Sequence, residues 1–228
     1  MVNVFEPRID ILPAPQRRLW DELADVPREF VLYGGTGIAL HLGHRQSVDF
    51  DFFGSKAFKP EALHDRIQFL RDAEVLQLEA RTATYLVDRG GPVKVSFFGV
   101  PGIGRVDEPV LAASNGLNVA SLRDLAGTKV SVVQVRSEAK DYLDVAALLI
   151  NGIDLPTALA SAVAIYGDQF NPQTALKALV YFEDGDLRKL PAKVKRLLRE
   201  AVKAVDLGQL PRLKPVKKWP GVRRIDGT

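Results

Sequence analysis

Cysteine is absent from the 228 residues, which excludes disulfide bonds, cysteine-ligated zinc and a thiol nucleophile. No apolar run approaches the roughly 18 residues that a membrane-spanning helix needs. The amino-terminal stretch MVNVFEPRIDILPAPQRR lacks the basic start, apolar run and small-residue cleavage site of a secretory signal. We therefore expect a cytoplasmic protein with no membrane partner.

The charge is small overall but unevenly distributed. Hydrophobic residues make up 46% of the chain and charged residues 26%, which is typical of a globular protein of one or two domains. The net charge is +3, yet residues 186–228 hold 13 Lys or Arg against 4 Asp or Glu. Such a basic end suits an anionic partner such as RNA, although a solvated helix with a basic tail explains the same charges. The tail cations are Lys214, Lys217, Lys218, Arg223 and Arg224.

The apolar pattern changes near residue 120. Before it, the pattern predicts a helix over 14–26, a short apolar run at 30–33 and an alternating segment at 47–54. A helix over 60–73 and three strand-like pieces over 74–99 follow. After it, the pattern predicts helices. The expected fold is α+β with an α/β core in residues 1–120, followed by a helical lobe in residues 121–228.

One motif carries chemistry: Gly34-Gly35-Thr36, then twelve residues, then Asp49-Phe50-Asp51. Side chains at i and i+2 of a strand lie on one face, so the two carboxylates converge. Two close carboxylates call for a cation, and a pair of Mg²⁺ ions (or Mn²⁺) that also binds phosphates suits them. Glycine at a helix start lets backbone N–H groups approach a phosphate, and Thr36 adds a hydroxyl. The motif predicts phosphoryl or nucleotidyl transfer.

Each half of this motif also has an ordinary structural interpretation. A D-x-D pattern on a half-buried strand is commonly its solvent-facing side, and Gly-Gly at a strand end is commonly a turn. Joined at this spacing, with a helix and then a strand between them, the two halves favour the functional interpretation.

A second group of charged residues lies in the helical half. Lys140 and Asp144 are four residues apart and share a helix face, which a solvated ion pair also explains. Asp141 shares the face of Asp144, and two neighbouring carboxylates call for a cation. Lys129 lies among apolar residues, and a lone surface lysine is its plain alternative.

The stretch GGTGIALHLGHRQSVDFDFF resembles the first motif of the nucleotidyltransferase superfamily: glycine, then Gly or Ser/Thr, a short helix and D-x-D. Residues 43–45 (GHR) and 47–49 (SVD) narrow the resemblance to the AbiEii/AbiGii-type toxins of type IV toxin–antitoxin and phage-abortive systems. SLRDLAGTK and RSEAKDYLDVAALL resemble later segments of that family. The resemblance covers roughly residues 25–210.

This resemblance implies a polymerase-β-like nucleotidyltransferase domain followed by a helical bundle, binding a nucleoside triphosphate and Mg²⁺. The acceptor in some relatives is the end of tRNA, and an antitoxin is an expected partner. The metal ligands would be Asp49 and Asp51. The residues assigned to catalysis are Asp49, Asp51, Lys129, Asp141 and Asp144, and those assigned to nucleotide binding are Gly34, Gly35, Thr36, Lys129 and Lys140.

The chain departs from the superfamily at one point. Many of these enzymes carry a third carboxylate on a later central strand, and the matching segment here, VKVSFFG, offers Ser96 instead. Asp88, or an acid of the helical lobe, is the candidate substitute.

Three hypotheses follow. The leading one is a Mg²⁺-dependent nucleotidyltransferase toxin that modifies RNA, including tRNA as a candidate. The second is a catalytically degenerate module that binds nucleotide or a partner, which Ser96 supports and the intact first motif opposes. The third is an enzyme that modifies protein hydroxyls, against which the basic carboxy-terminal region favours RNA.

Overall fold

The alternating residues of the first half build one mixed sheet. The computed structural model describes residues 3–216, and these contain eight strands in a single sheet of order β1-β7-β8-β2-β3-β6-β5-β4. Strand β3 runs antiparallel to β2 and parallel to β6. The strands are β1 (Val4–Phe5), β2 (Phe30–Leu32), β3 (Asp49–Gly54), β4 (Glu74–Glu79), β5 (Thr82–Asp88), β6 (Pro92–Gly99), β7 (Val110–Ala112) and β8 (Asn118–Val119).

The described residues form two compact units. The first, here called the sheet unit, comprises the described residues up to 104 together with 109–120. Its α-helices are α1 (Ala14–Leu19), α2 (Gly34–Leu42) and α3 (Pro60–Arg66), with 3-10 turns at Ile9–Ile11, Trp20–Asp25 and Gln68–Leu70. The second, the helical unit, comprises residues 105–108 and 121–216.

Aromatic residues fix which face of β3 meets the core. Phe50 and Phe52 are fully buried, whereas the aspartates that alternate with them are partly exposed. Phe97, the β6 neighbour of Phe52, stacks on it with ring centroids 5.2 Å apart. Burial of each ring contributes about 1.5–3 kcal/mol, and a slip of one residue would exchange rings for carboxylates. The core therefore holds Asp49 and Asp51 on the opposite face.

The helical unit is built from helices with well-defined starts. Its α-helices are α4 (Leu122–Val132), α5 (Ala139–Ile150), α6 (Leu155–Tyr166), α7 (Pro172–Val180) and α8 (Ala192–Lys203), with 3-10 turns at Gly167–Gln169, Leu187–Lys189 and Leu207–Gln209. Side-chain oxygens of Ser121, Asp154 and Asn171 accept from backbone N–H groups at the starts of α4, α6 and α7. Helices α4 and α6 pack closely, since a Cβ at Gly127 would lie 2.9 Å from the backbone N of Ala162.

Within residues 3–216, no single helix is long and apolar enough to cross a membrane; α5 and the segment 155–169 reach that length only together, across a bend of 117°.

The structure differs from the sequence pattern in three places. The helix predicted over 14–26 is α-helical only to Leu19, and the one predicted over 60–73 only to Arg66, with 3-10 turns following each. Strands β1, β7 and β8 have two or three residues, too few to show alternation. Residues 105–108 join the helical unit, because the buried Asp124 carboxylate accepts from the backbone N–H groups of Val106 and Asp107.

Candidate functional site

Strand β3 presents the two predicted metal ligands together. Asp49 and Asp51 share the face opposite the buried rings, and alternate residues of a strand are spaced by about 7 Å. The Asp49 side chain is 35% exposed, so solvent and a ligand both reach it. The structure thus brings the acid pair together as the sequence predicts.

The start of helix α2 lies against Asp51. The backbone N–H of Tyr33 donates to the Asp51 carbonyl over 2.9 Å, which ties the turn before α2 to β3. Gly34 then adopts φ +72°, a left-handed conformation that favours glycine. A Cβ at Gly34 would lie 3.0 Å from Asp51 Oδ2, so this carboxylate is in close contact with the first residue of the helix. Gly34 and Gly35 thus place first-turn N–H groups, which lack intrahelical acceptors, beside Asp51.

Thr36 is directed into the protein. Thr36 is 2% exposed, and its hydroxyl contacts the Asp49 carbonyl and lies 2.8 Å from Ser47 Oγ. Because a carbonyl only accepts, the Thr36 hydroxyl donates to it, and Ser47 completes the pair by donating to Thr36. This hydroxyl therefore joins the first turn of α2 to the beginning of β3. The expected contact of Thr36 with a triphosphate stays a prediction.

Strand β6 supplies the neighbours of the acid pair. Lys94 lies beside Asp49 and Ser96 beside Asp51 in the parallel register. The Lys94 ammonium is 3.4 Å from Asp49 Oδ2. Ser96 is 3% exposed and lies 3.5 Å from Thr84 Oγ1 on β5. The position on β6 where the superfamily pattern predicts a third carboxylate therefore holds a neutral hydroxyl.

Asp88 does not replace that carboxylate. It ends β5, and its Oδ1 accepts from the Gly91 N–H over 2.9 Å to cap the hairpin between β5 and β6. It lies four residues along β5 from Thr84, or about 13 Å at the usual strand rise. The suggestion that Asp88 completes the acid site is wrong, because the hairpin uses its carboxylate elsewhere.

The donor set fits a divalent ion in part. Two carboxylates on one strand, beside a helix start that suits phosphate, match the preference of Mg²⁺ for a few carboxylate oxygens plus substrate oxygens. The Asp49 carboxylate also forms an ion pair with Lys94. Within residues 3–216, no cluster of three or more His, Asp or Glu side chains is suited to a metal. Asp49 and Asp51 are thus the residues that could hold such an ion.

The helical unit contains a buried charge cluster. Lys129 Nζ lies 2.6 Å from Asp141 Oδ1 and 2.8 Å from Asp144 Oδ2. The lysine side chain is 6% exposed and both aspartate side chains are fully buried. Arg136 reaches Asp141 with two nitrogens, Nε at 2.7 Å and Nη2 at 3.0 Å. The cation that the two neighbouring carboxylates call for is therefore a lysine of the protein itself.

These contacts decide the ionisation of Asp141. Burial raises the pKa of Asp141, but hydrogen bonds from Arg136 and Lys129 and their positive charges outweigh it. The pKa of Asp141 therefore lies below its ordinary value, and the carboxylate stays charged at neutral pH.

Lys140 takes a different place from the one expected. It is exposed and pairs with Glu138 over 2.8 Å, while Asp144 pairs with Lys129. The sequence pattern missed Arg136 and Lys94, although Lys94 could have been found by aligning VKVS with DFDF as parallel strands. The part expected of Lys129, Lys140, Asp141 and Asp144 in the nucleotide site stays a prediction.

A family model decides what kind of protein this is. The model of the AbiEii nucleotidyl transferase toxin, type IV toxin–antitoxin system, matches residues 18–219. The chain belongs to the AbiEii nucleotidyltransferase toxin family. Membership indicates nucleotidyltransferase activity and implies a nucleotide substrate and an antitoxin partner.

One curated relative and two solved structures resemble this AbiEii chain. Protein aq_aa25 of Aquifex aeolicus (strain VF5) is 31% identical over 159 residues, which cover 68% of this chain and 75% of the relative. The nucleotidyltransferase toxin MenT4 of Mycobacterium tuberculosis H37Rv has a TM-score of 0.61 at 16% identity, covering 86% of this chain and 87% of its own. JHP933 of Helicobacter pylori has a TM-score of 0.51 at 16% identity, covering 82% and 91%. The predicted fold class is confirmed.

The basic carboxy-terminal region of the AbiEii chain is described only in part. Lys214 is exposed, whereas Lys217, Lys218, Arg223 and Arg224 lie outside the described residues. The described cations of this region lie chiefly on α8.

Proposed function

We propose that this AbiEii-family enzyme transfers a nucleotidyl group from a nucleoside triphosphate to an RNA acceptor, tRNA among the candidates, and depends on Mg²⁺, with Mn²⁺ as a substitute. The observation that carries the proposal is the contact between the Asp51 carboxylate and the first residue of α2 at Gly34. In this proposal the carboxylate that holds the metal lies beside the helix start that binds phosphate, within one strand–helix turn.

The residues of the sheet unit have separable tasks in this reaction. Backbone N–H groups at Gly34 and Gly35 bind and orient the triphosphate, and Thr36 holds their turn against β3. Asp49 and Asp51 would hold the divalent ion, which when bound neutralises phosphate charge. The acceptor hydroxyl oxygen bonds to the α-phosphorus, and the bond from that phosphorus to the bridging oxygen breaks. Pyrophosphate leaves with the electron pair, and the hydroxyl proton passes to water.

An RNA acceptor is supported by the charge of α8. The buried residues Val194 and Leu198 fix one side of this helix, and the opposite side carries five cations over about half its circumference, with the exposed Glu200 among them. Two of these cations, Lys195 and Arg199, lie over the ring of Phe182, 5.6 Å and 5.0 Å from its centroid. We call this surface the basic face of α8; its residues are Lys193, Lys195, Arg196, Arg199 and Lys203. A cationic helix face attracts phosphate backbones and suits RNA better than a neutral protein acceptor.

The test is transfer of label from each of four α-³²P nucleoside triphosphates to total RNA in the presence of Mg²⁺. The Asp51→Asn variant keeps the size of the side chain but loses a charged oxygen ligand, so transfer should fall by at least about 10²-fold. Asp88→Asn is the matched control, since an amide oxygen still caps the hairpin at Gly91. Transfer by Asp51→Asn at the wild-type rate would refute the assignment of this site. Labelling of protein instead of RNA would refute the acceptor.

A further inference from the structure

Strand β6 gives the acid pair two neighbours that do not suit a second metal ion. In enzymes with two ions about 3.5–4 Å apart, several carboxylates share the charge of both. Here the parallel register places Lys94 beside Asp49 and Ser96 beside Asp51. Neither neighbour adds negative charge, and one adds a positive charge.

Lys94 is held at this place by the sheet. Strand β6 is paired with β3 over six residues and with β5 over seven, so its backbone cannot move away from the acids. Only the lysine side chain can turn, and its ammonium rests 3.4 Å from Asp49 Oδ2. Both side chains are partly exposed, at 43% and 35%, so the pair lies where a ligand arrives.

Ser96, the β6 neighbour of Asp51, does not supply a charged ligand for a second ion either. It is buried, and its hydroxyl lies 3.5 Å from Thr84 Oγ1, a second neutral group. A hydroxyl oxygen is a weaker metal ligand than a carboxylate. Asp51, Ser96 and Thr84 lie side by side on β3, β6 and β5, and among these three only Asp51 carries a negative charge.

We propose that the nucleotide site binds one divalent ion per nucleotide-bound chain, and that the Lys94 ammonium beside Asp49 takes the place of a second. The inference rests on the proposed function, because it concerns the same site and the same nucleoside triphosphate. Lys94 is then a binding residue for the charged nucleotide.

The number of Mn²⁺ ions bound tests this directly. The probe is Mn²⁺ with an α,β-methylene nucleoside triphosphate, which cannot be cleaved, and the measurement is electron paramagnetic resonance of free Mn²⁺. Wild-type protein should bind one ion per nucleotide-bound chain, and two ions would overturn the proposal. The Lys94→Met/Ser96→Asp double variant removes the ammonium and adds a carboxylate, so it should bind two. One ion on a double variant that melts cooperatively would contradict the roles of Lys94 and Ser96.

A single variant keeps the proposal testable if the buried Asp at position 96 prevents folding. Lys94→Met releases Asp49, so Mn²⁺ affinity without nucleotide should rise about three- to fivefold at low salt and less at high salt. Lys59→Met, which changes an exposed lysine of the same unit, should leave the affinity unchanged. Unchanged affinity in Lys94→Met would contradict the proposal.

Mn²⁺ binding and nucleotide transfer together distinguish an error in the proposed site from an error in the role of Lys94. If wild-type protein binds no Mn²⁺ with the nucleotide, or Asp51→Asn binds it equally well, the proposed site itself is wrong. If wild-type protein transfers nucleotide and binds two ions, only the role of Lys94 is wrong.

Discussion

Replacing Lys129 by methionine is the most informative perturbation of the helical unit. Lys129 contacts two fully buried carboxylates, at 2.6 Å from Asp141 and 2.8 Å from Asp144. Together with Arg136 these side chains sum to zero charge, so Lys129→Met leaves an excess negative charge in a buried place. Removing one partner from a buried ion pair costs about 3–5 kcal/mol.

That loss is large against the whole stability of the unit. Domains unfold at about 5–15 kcal/mol, and each kcal/mol shifts the melting temperature of a chain of this size by about 2–4 °C. We expect Lys129→Met to melt roughly 10 °C lower than wild type, by circular dichroism and urea unfolding. Lys177→Met, which removes an exposed lysine from α7, should change the melting temperature by no more than about 2 °C.

A double variant separates charge from shape. Lys129→Met/Asp144→Asn removes one charge of each sign, and Asp141 keeps its two bonds from Arg136. It should therefore be more stable than Lys129→Met by about 2 kcal/mol. A Lys129→Met protein within about 1 kcal/mol of wild type, or a double variant less stable than the single one, would refute this reasoning. Because Lys129→Met is expected to lose stability, a loss of activity in this variant does not by itself assign Lys129 to the nucleotide site.

Three further predictions concern other parts of the chain. Gly34→Ala should lower transfer at least about tenfold, because the added Cβ displaces the Asp51 carboxylate. Gly116 has a similar positive φ but open space around it, so Gly116→Ala introduces only backbone strain and should leave transfer unchanged. The pKa of Asp141 is lowered in the folded state, so its stabilising contribution is present above the ordinary pKa of about 4. That contribution is lost as the pH falls through the pKa of the folded state. The urea midpoint of the wild type should therefore fall in acid more than that of Asp141→Asn. Neutralising part of the basic face of α8 should reduce the salt slope of RNA binding by about 2 without changing nucleotide affinity, and equal slopes in a filter-binding titration would contradict its role. The changes are Lys193→Gln, Arg196→Gln and Lys203→Gln.

The acid pair was predictable from sequence because its cause is local. Strict alternation of Asp49, Phe50, Asp51 and Phe52 fixes both the strand and its faces, and the glycines before it mark the turn into α2. The left-handed residue is Gly34, the one in contact with Asp51, which the pattern alone does not single out.

The partners of the charged residues were not predictable, because they are set by packing between distant segments. Lys94 meets Asp49 only through the parallel register of β3 and β6, 45 residues apart in the chain. Lys129 meets Asp141 and Asp144 only because α4 packs near α5. Spacing within one helix suggested Lys140 as the partner of Asp144, whereas Lys140 pairs with Glu138. Helical periodicity describes a single helix and carries no information about the next.

The order of strands in the sheet has a consequence for synthesis on the ribosome. Within residues 3–216, β1 pairs only with β7, and β2 meets β8 on the side away from β3. A nascent chain that ends before Val110 therefore carries β1 without its partner, and one that ends before Asn118 leaves one edge of β2 open. Because unpaired strand edges recruit other chains, we expect slow translation before β7 and β8 emerge to favour aggregation.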